Sequence, residues 1–246
     1  MIEIKNLVKS FDNNKVLQGV NLVINEGETL VIIGRSGCGK SVLLKHIIGL
    51  LKPDEGEIFI EGENLFKMKM KDLYKLRAKF GFLFQGAALF DSMNVGENVG
   101  LALKENTNLK PDAIKKIVAE KLELVGLPGT EKMKPVDLSG GMKKRVSLAR
   151  ALATDPKYIL YDEPTTGLDP VMSDAIDDLI QELAGKLHVT SVVVTHDIFS
   201  VYGVADKVAM MHEGKIYFHG TPKELIESDD ELIKNFLNRT EKKINT

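Results

Sequence analysis

The sequence predicts an α/β fold on one core, with a strand-rich N-terminal part and a helical insertion in the middle. Three observations predict it. The run ETLVIIG at 28–34 is continuously apolar and ends in glycine where a helical pattern begins, the mark of a strand buried on both faces. Strand and helix patterns alternate again from Tyr158 onward, as a layered α/β domain requires. Between these parts, from about Gly86 to Ala153, the periodicity is helical.

Taken in order, IEIKNLV and VLQGVNLVI alternate or run apolar and read as strands, so the first sixty residues are mostly extended. A helix is expected from Lys40 to about Leu50, stopped by Lys52-Pro53 and the turn Asp54-Glu55-Gly56, followed by a short strand in GEIFIEG. In the insertion, Ile114, Ile117, Val118, Leu122 and Val125 fall at i, i+3, i+4, i+8 and i+11, one apolar helix face. YILYDEP is then a strand, about Pro170 to Leu187 a helix, TSVVVTHD a strand, a short helix follows, and KVAMMHEG and KIYFHG are strands. TPKELIESDDELIKNFLNR adds two helices. One domain is expected over residues 1–240, with its helical part near 86–153 and a polar tail at 241–246 that frays.

Composition narrows the function classes. The 246 residues hold 33 basic and 35 acidic side chains, a net charge of −2 that gives no support to a nucleic-acid partner. A single cysteine, Cys38, excludes an intrachain disulfide and fits a reducing compartment. The opening MIEIKNLVKSF lacks the apolar segment of a signal peptide. The most apolar helical stretch, Val42 to Leu51, is interrupted by Lys45 and His46 and is too short to cross a bilayer. Any membrane role is therefore expected to come through a partner.

GRSGCGKS, Gly34 to Ser41, fits the pattern of a phosphate-binding loop between strand and helix. Gly34, Gly37 and Gly39 let the backbone of Arg35, Ser36 and Cys38 curl so that N–H groups face phosphate oxygens. The helix entered through Lys40, Ser41 and Val42 adds its positive end. Lys40 can reach β- and γ-phosphates, and Ser41 offers a hydroxyl to Mg²⁺. Cys38 reads as a small residue that fits the loop, the competing reading being a reactive thiol. Asp162 and Glu163 leave a buried strand, where carboxylates are costly unless they serve a cation or a proton transfer. Asp162 suits the Mg²⁺ shell through water, and Glu163 suits orienting or deprotonating the attacking water. His196 follows a second apolar strand and is either a structural histidine or a contact to the γ-phosphate. Gln85, after FGFLF, carries an amide able to touch metal and water. The other four histidines, His46, His188, His212 and His219, read as packing or surface residues.

A second glycine-rich helix start, LSGGM at 138–142, completes a pattern. GRSGCGKS, Gln85, LSGGM, YILYDEP, TTGLD at 165–169 and Thr195-His196 resemble, in order and spacing, the ATP-binding-cassette (ABC) ATPases along essentially the whole chain. The resemblance implies a nucleotide-hydrolysing core with an N-terminal antiparallel β subdomain and an inserted helical subdomain. It implies ATP and Mg²⁺ as ligands, and a head-to-tail homodimer. In such a dimer each ATP lies between one Gly34–Ser41 loop and the other copy's Ser139, Gly140 and Gly141, with Asp169 at the same interface and Phe11 stacked on adenine. Phe11 stands where tyrosine is usual, and Met142 where glutamine is commonest.

Within this family, GFLFQGAALFDSMNVGENV, KLELVGLPG, DLSGGMKKRVSLARAL and IKNFLNR resemble the ATPases of Mla/Mce-type phospholipid transport systems. That implies a transmembrane permease, an Mce-domain lipid-binding protein, and a peripheral position on the cytoplasmic face of the inner membrane. The permease is expected on Gly86–Val95, where Ala87, Ala88, Leu89, Phe90 and Met93 either face a partner or pack on the cassette itself. Residues 67–80, with six basic residues and one acidic, read as a solvated face or one turned toward anionic headgroups. The rivals are a soluble scaffold, such as the ATPase of iron–sulfur cluster assembly, and a cassette for another substrate.

Overall fold

The computed structural model describes residues 1–242. Strands β1 (Ile2–Phe11), β2 (Asn14–Ile24), β4 (Glu55–Ile60) and β5 (Glu63–Asn64) form an antiparallel sheet in the order β2-β1-β4-β5. The second sheet holds β3 (Thr29–Ile33), β6 (Phe80–Leu83), β7 (Tyr158–Asp162), β8 (Thr190–Thr195), β9 (Lys207–His212) and β10 (Lys215–Gly220), in the order β10-β9-β3-β8-β7-β6. Its strands are parallel except β10, which returns antiparallel on β9.

The apolar runs are explained by burial on both faces. Leu30, Ile32, Leu160, Val192 and Val194 join the core shared with the antiparallel sheet and with α1 (Lys40–Ile47), through Leu43, Leu44 and Ile47. Val31, Ile33, Ile159, Tyr161 and Val193 point the other way. They meet α3 (Val95–Asn106), α4 (Pro111–Leu124), α5 (Gly140–Leu152) and α6 (Pro170–Leu187), with α7 (Phe199–Val204), α8 (Pro222–Ile226) and α9 (Glu231–Lys242) completing that layer. Alternate residues of one strand thus serve two cores, which leaves no polar face to give alternation. No helix among the described residues is long and apolar enough to cross a membrane.

The structure departs from the sequence reading at two places. The first helix stops at Ile47, ahead of Lys52-Pro53, because Gly49 takes φ +67° and folds the Gly49 and Leu50 N–H groups back onto the His46 and Lys45 carbonyls. The basic stretch contains a helix, α2 (Met70–Arg77), that the sequence did not announce: of its residues only Leu76 is buried, too few to make an apolar stripe. Helix α9 runs to Lys242, and residues 243–246 of the expected polar tail lie outside the described residues.

Candidate active site

The parallel strands β3, β6, β7 and β8 end on one edge of the sheet, and each delivers a site residue there. From β3 comes the phosphate loop, from β7 Asp162 and Glu163, from β8 His196, and Gln85 lies just past β6. Gly34 has to be glycine, because a Cβ would sit 2.6 Å from the Met211 carbonyl oxygen. Gly39 enters α1 at φ +104°, and no side chain caps the helix behind it, so the first N–H groups of α1 face the loop.

Lys40 is only 5% exposed. Its Nζ donates to the Gly34 carbonyl at 2.8 Å and the Arg35 carbonyl at 3.4 Å, and stands 3.5 Å from Glu163 Oε1. Ser41 Oγ donates to Asp162 Oδ1 at 2.6 Å. A hydroxyl and a carboxylate so paired are hard oxygen donors suited to Mg²⁺. Among the described residues no group of three or more His, Cys, Asp or Glu could hold a metal. Cys38 is half-buried, and burial pushes its thiol pKa up despite the nearby Lys40.

Glu163 is buried and adopts φ +50°, unusual for a residue with a side chain. Its N–H donates to the Val194 carbonyl at 2.9 Å, which ties β7 to β8 at the site. Its Oε2 accepts from Thr166 Oγ1 at 3.1 Å and lies 2.7 Å from His196 Nδ1. A carboxylate oxygen only accepts, so Nδ1 carries the proton. Past His196, α7 is held to α6 by Ser200 Oγ, which donates to Asp177 Oδ2 at 2.7 Å. Burial pushes the Asp177 carboxyl up to about 6.

Five of the expected residues lie elsewhere. Ser139 is exposed at the start of α5, where its Oγ accepts from the Met142 N–H at 3.3 Å; Gly140 is exposed and Gly141 buried. Asp169 caps α6, its Oδ1 accepting from the Met172 N–H at 3.0 Å. Phe11 is exposed at the end of β1, with Lys9 Nζ 5.4 Å from its ring centroid. Met142 is partly buried against the core.

The Gly86–Val95 surface is less apolar than the sequence suggests. Ala87 is buried and Leu89 packs on the core, whereas Phe90 stays exposed, its backbone held by Asn98. In the basic stretch, Lys67 pairs with Glu57, Lys79 with Glu61, and Arg77 with the Ile48 and Gly49 carbonyls. Lys157 and Lys79 hold the Glu61 carboxyl down at about 2. His46 is a packing residue, fully buried with Nδ1 2.7 Å from the Val42 carbonyl oxygen. Sequence reasoning missed Lys144. It is buried on α5, donates to the carbonyls of Gln85 and Glu163, and burial pushes its pKa down.

The family model described as ABC transporter matches residues 17–166, more than half of the chain. The chain belongs to that family. It is an ATP-hydrolysing ABC cassette. Over 237 residues it is 44% identical to the probable ribonucleotide transport ATP-binding protein mkl of Mycobacterium leprae (strain TN), covering 96% of this chain and 68% of that one. Over 237 residues it is 40% identical to the intermembrane phospholipid transport system ATP-binding protein MlaF of Haemophilus influenzae, covering 96% and 90%. It superposes on the dimeric post-hydrolysis structure of the ATP-binding cassette MJ0796 bound to ADP and Pi with a TM-score of 0.82, at 35% identity over 90% of this chain and 99% of that one.

Proposed function

We propose that this cassette hydrolyses ATP between two copies of itself and drives a permease that moves phospholipid. The observation that carries the catalytic part is the meeting of Lys40, the Ser41–Asp162 pair and the Glu163–His196 pair at one sheet edge. Gly34, Arg35, Ser36, Gly37, Cys38, Gly39 and Val42 would wrap the phosphates with backbone N–H groups, and Phe11 would stack on adenine. Lys40, drawn inside the loop, carries the charge for the β- and γ-phosphates. Ser41 and Gln85 directly, and Asp162 through water, would hold Mg²⁺, which supplies charge neutralisation to the phosphates.

Glu163 Oε1 or Oε2 orients a water and takes its proton as the water oxygen bonds to the γ-phosphorus and the bond to the ADP oxygen breaks. His196 fixes the Glu163 carboxylate through Nδ1–H and, once protonated, can offer Nε2–H to a γ-phosphate oxygen. The second copy closes the site with its Ser139, Gly140 and Gly141 N–H groups and its Asp169. ATP then favours the closed pair and hydrolysis releases it.

Phospholipid as cargo is supported by the 40% identity to MlaF across 90% of that protein. On this reading the partners are a permease and an Mce-domain protein, and the chain sits peripherally on the cytoplasmic face of the inner membrane. A ribonucleotide is the second reading, favoured by the 44% identity to mkl. Affinity purification of the tagged chain from its native membrane, followed by reconstitution in vesicles, decides between them. ATP-dependent movement of labelled phospholipid with a co-purified permease is expected. Movement of ribonucleotide alone would favour the second, and recovery without any permease would favour a soluble scaffold. Phe90→Asp is expected to abolish permease recovery while leaving ATP binding intact.

A further inference from the structure

Three residues of α5, Lys144, Ser147 and Arg150, follow at intervals of three and so share one helix face. That face grips the loop after β6. Lys144 Nζ donates to the Gln85 carbonyl. Ser147 Oγ donates to the Ala87 carbonyl at 2.9 Å, and Arg150 donates to the Ala87 and Ala88 carbonyls at 2.8 and 2.7 Å. Ala87 and Ala88 both hold left-handed backbone, φ +60° and +49°, which a residue with a side chain adopts at a cost of roughly 1 kcal/mol each. Such conformations persist where their surroundings over-determine them, and these donors do so.

Lys144 reaches one carbonyl more. Its Nζ also donates to the backbone oxygen of Glu163 at 3.2 Å, and Glu163 is itself left-handed at φ +50°. Lys144 is 5% exposed, and the hydrogen-bond partners of its ammonium are carbonyls rather than carboxylates. A buried cation satisfied in that way is expensive compared with an apolar residue of similar length. It lies about one helical turn from Ser139 and Gly140, where α5 begins.

We propose that Lys144 is a positioning residue that couples the start of α5 to the chain's own Gln85 and Glu163. The inference rests on the dimeric ATP sandwich described above. A phosphate drawing on the Ser139–Gly141 N–H groups pulls a helix that holds the two carbonyls flanking the opposite site. Each subunit thereby passes the state of the ATP at its helix start to the ATP in its own loop. The two hydrolysis sites of the dimer are linked through one side chain per subunit.

The test compares wild type, Lys144→Met, Lys144→Arg and Arg150→Met in the full chain. Lys144→Met is expected to bind ATP as a monomer within about 2-fold of wild type, while kcat falls roughly 10-fold and the cooperativity of turnover in ATP disappears. Lys144→Arg, which keeps a cationic donor, is expected to recover much of both. Hydrogen exchange is the readout independent of turnover. Lys144→Met should accelerate exchange in peptides containing Gln85 and Glu163, whereas Arg150→Met should loosen the Ala87–Ala88 segment and spare Glu163. Uniform acceleration over the whole chain in Lys144→Met would overturn the proposal, since it would mark a loss of stability alone. A wild type that neither turns over ATP nor pairs would sink the sandwich reading and the coupling with it. A wild type that does both, matched in every respect by Lys144→Met, would sink the coupling alone.

Discussion

The starts of α1 and α5 are built from the same backbone device. The first follows glycine-rich chain and the second opens on Gly140-Gly141; neither has an acidic residue in its first turn, and each carries a buried lysine nearby. At α1 the lysine turns into the loop, toward the Gly34 and Arg35 carbonyls and Glu163. At α5 the lysine turns away from the helix start, into the protein, toward Gln85 and Glu163. The α1 start has no side-chain cap, whereas Ser139 fills that role at α5 and remains exposed. Where the cation goes therefore separates a loop that can enclose phosphate within one chain from a surface that offers N–H groups to something outside it.

The largest effect is expected inside the first of these. Glu163→Gln keeps the shape of the carboxylate and removes its basicity, so turnover should fall by a factor on the order of 10² or more while ATP stays bound. Lys40→Ala should instead weaken ATP binding, because the buried charge is gone. A colorimetric phosphate assay and nucleotide titration separate the two. Wild-type turnover in Glu163→Gln would remove Glu163 from its assigned role. The same Glu163→Gln background exposes the second helix start: ATP should convert it to a dimer in sedimentation, and Ser139→Arg should prevent that without lowering monomer affinity. If Ser139→Arg pairs as well as its parent, the two helix starts do not share a ligand.

Much of this was legible in the sequence. The phosphate loop announces itself because glycine, lysine and serine at fixed spacing have few other uses after a buried strand. The helix expected from about Pro170 to Leu187 forms over Pro170–Leu187, where Asp169 caps it and Pro170 starts it. What stayed hidden depends on contacts between segments distant in the chain. Lys144 looks like one of three consecutive basic residues, and only the approach of Gln85 and Glu163 gives it a buried role. Whether Ala87 and Leu89 face a partner or pack on the cassette stays open in the sequence, because the loop's left-handed turn, which tucks Ala87 inward, leaves no periodicity to detect. The helix α2 was missed for the related reason that it packs through few apolar residues.

Alanine at a single glycine in each start gives a smaller, cleaner contrast. At Gly34 a Cβ meets the backbone oxygen of Met211 at 2.6 Å, and a β-strand carbonyl has little freedom to retreat. Gly34→Ala should cost about 1–3 kcal/mol of stability and lower ATP affinity as the loop shifts. At Gly141 a Cβ would run into Met172 Cε, the far end of a flexible side chain that can swing aside. Gly141→Ala should cost under about 1 kcal/mol and leave monomer ATP binding unchanged. Urea unfolding with a nucleotide titration measures both. Equal losses would mean that the loop around Gly34 is as yielding as the helix start.

The smallest effect compares the two starts with one reagent. Cys38 is half-buried and its thiol pKa is raised by burial, so alkylation by iodoacetamide should be slow near neutral pH and accelerate only as pH climbs beyond the ordinary thiol range. A thiol introduced by Ser139→Cys would be exposed at a helix N-terminus, where the dipole favours thiolate, so it should react several-fold faster at the same pH. In a Glu163→Gln background, Mg-ATP should shield Cys38 at any protein concentration, because its loop closes on phosphate within one chain. The thiol from Ser139→Cys should be shielded only at protein concentrations that permit pairing. Peptide-resolved mass spectrometry follows both sites in one sample. Protection at position 139 that ignores protein concentration would show that the α5 start meets nucleotide inside its own subunit, and protection at neither site would remove the nucleotide from both.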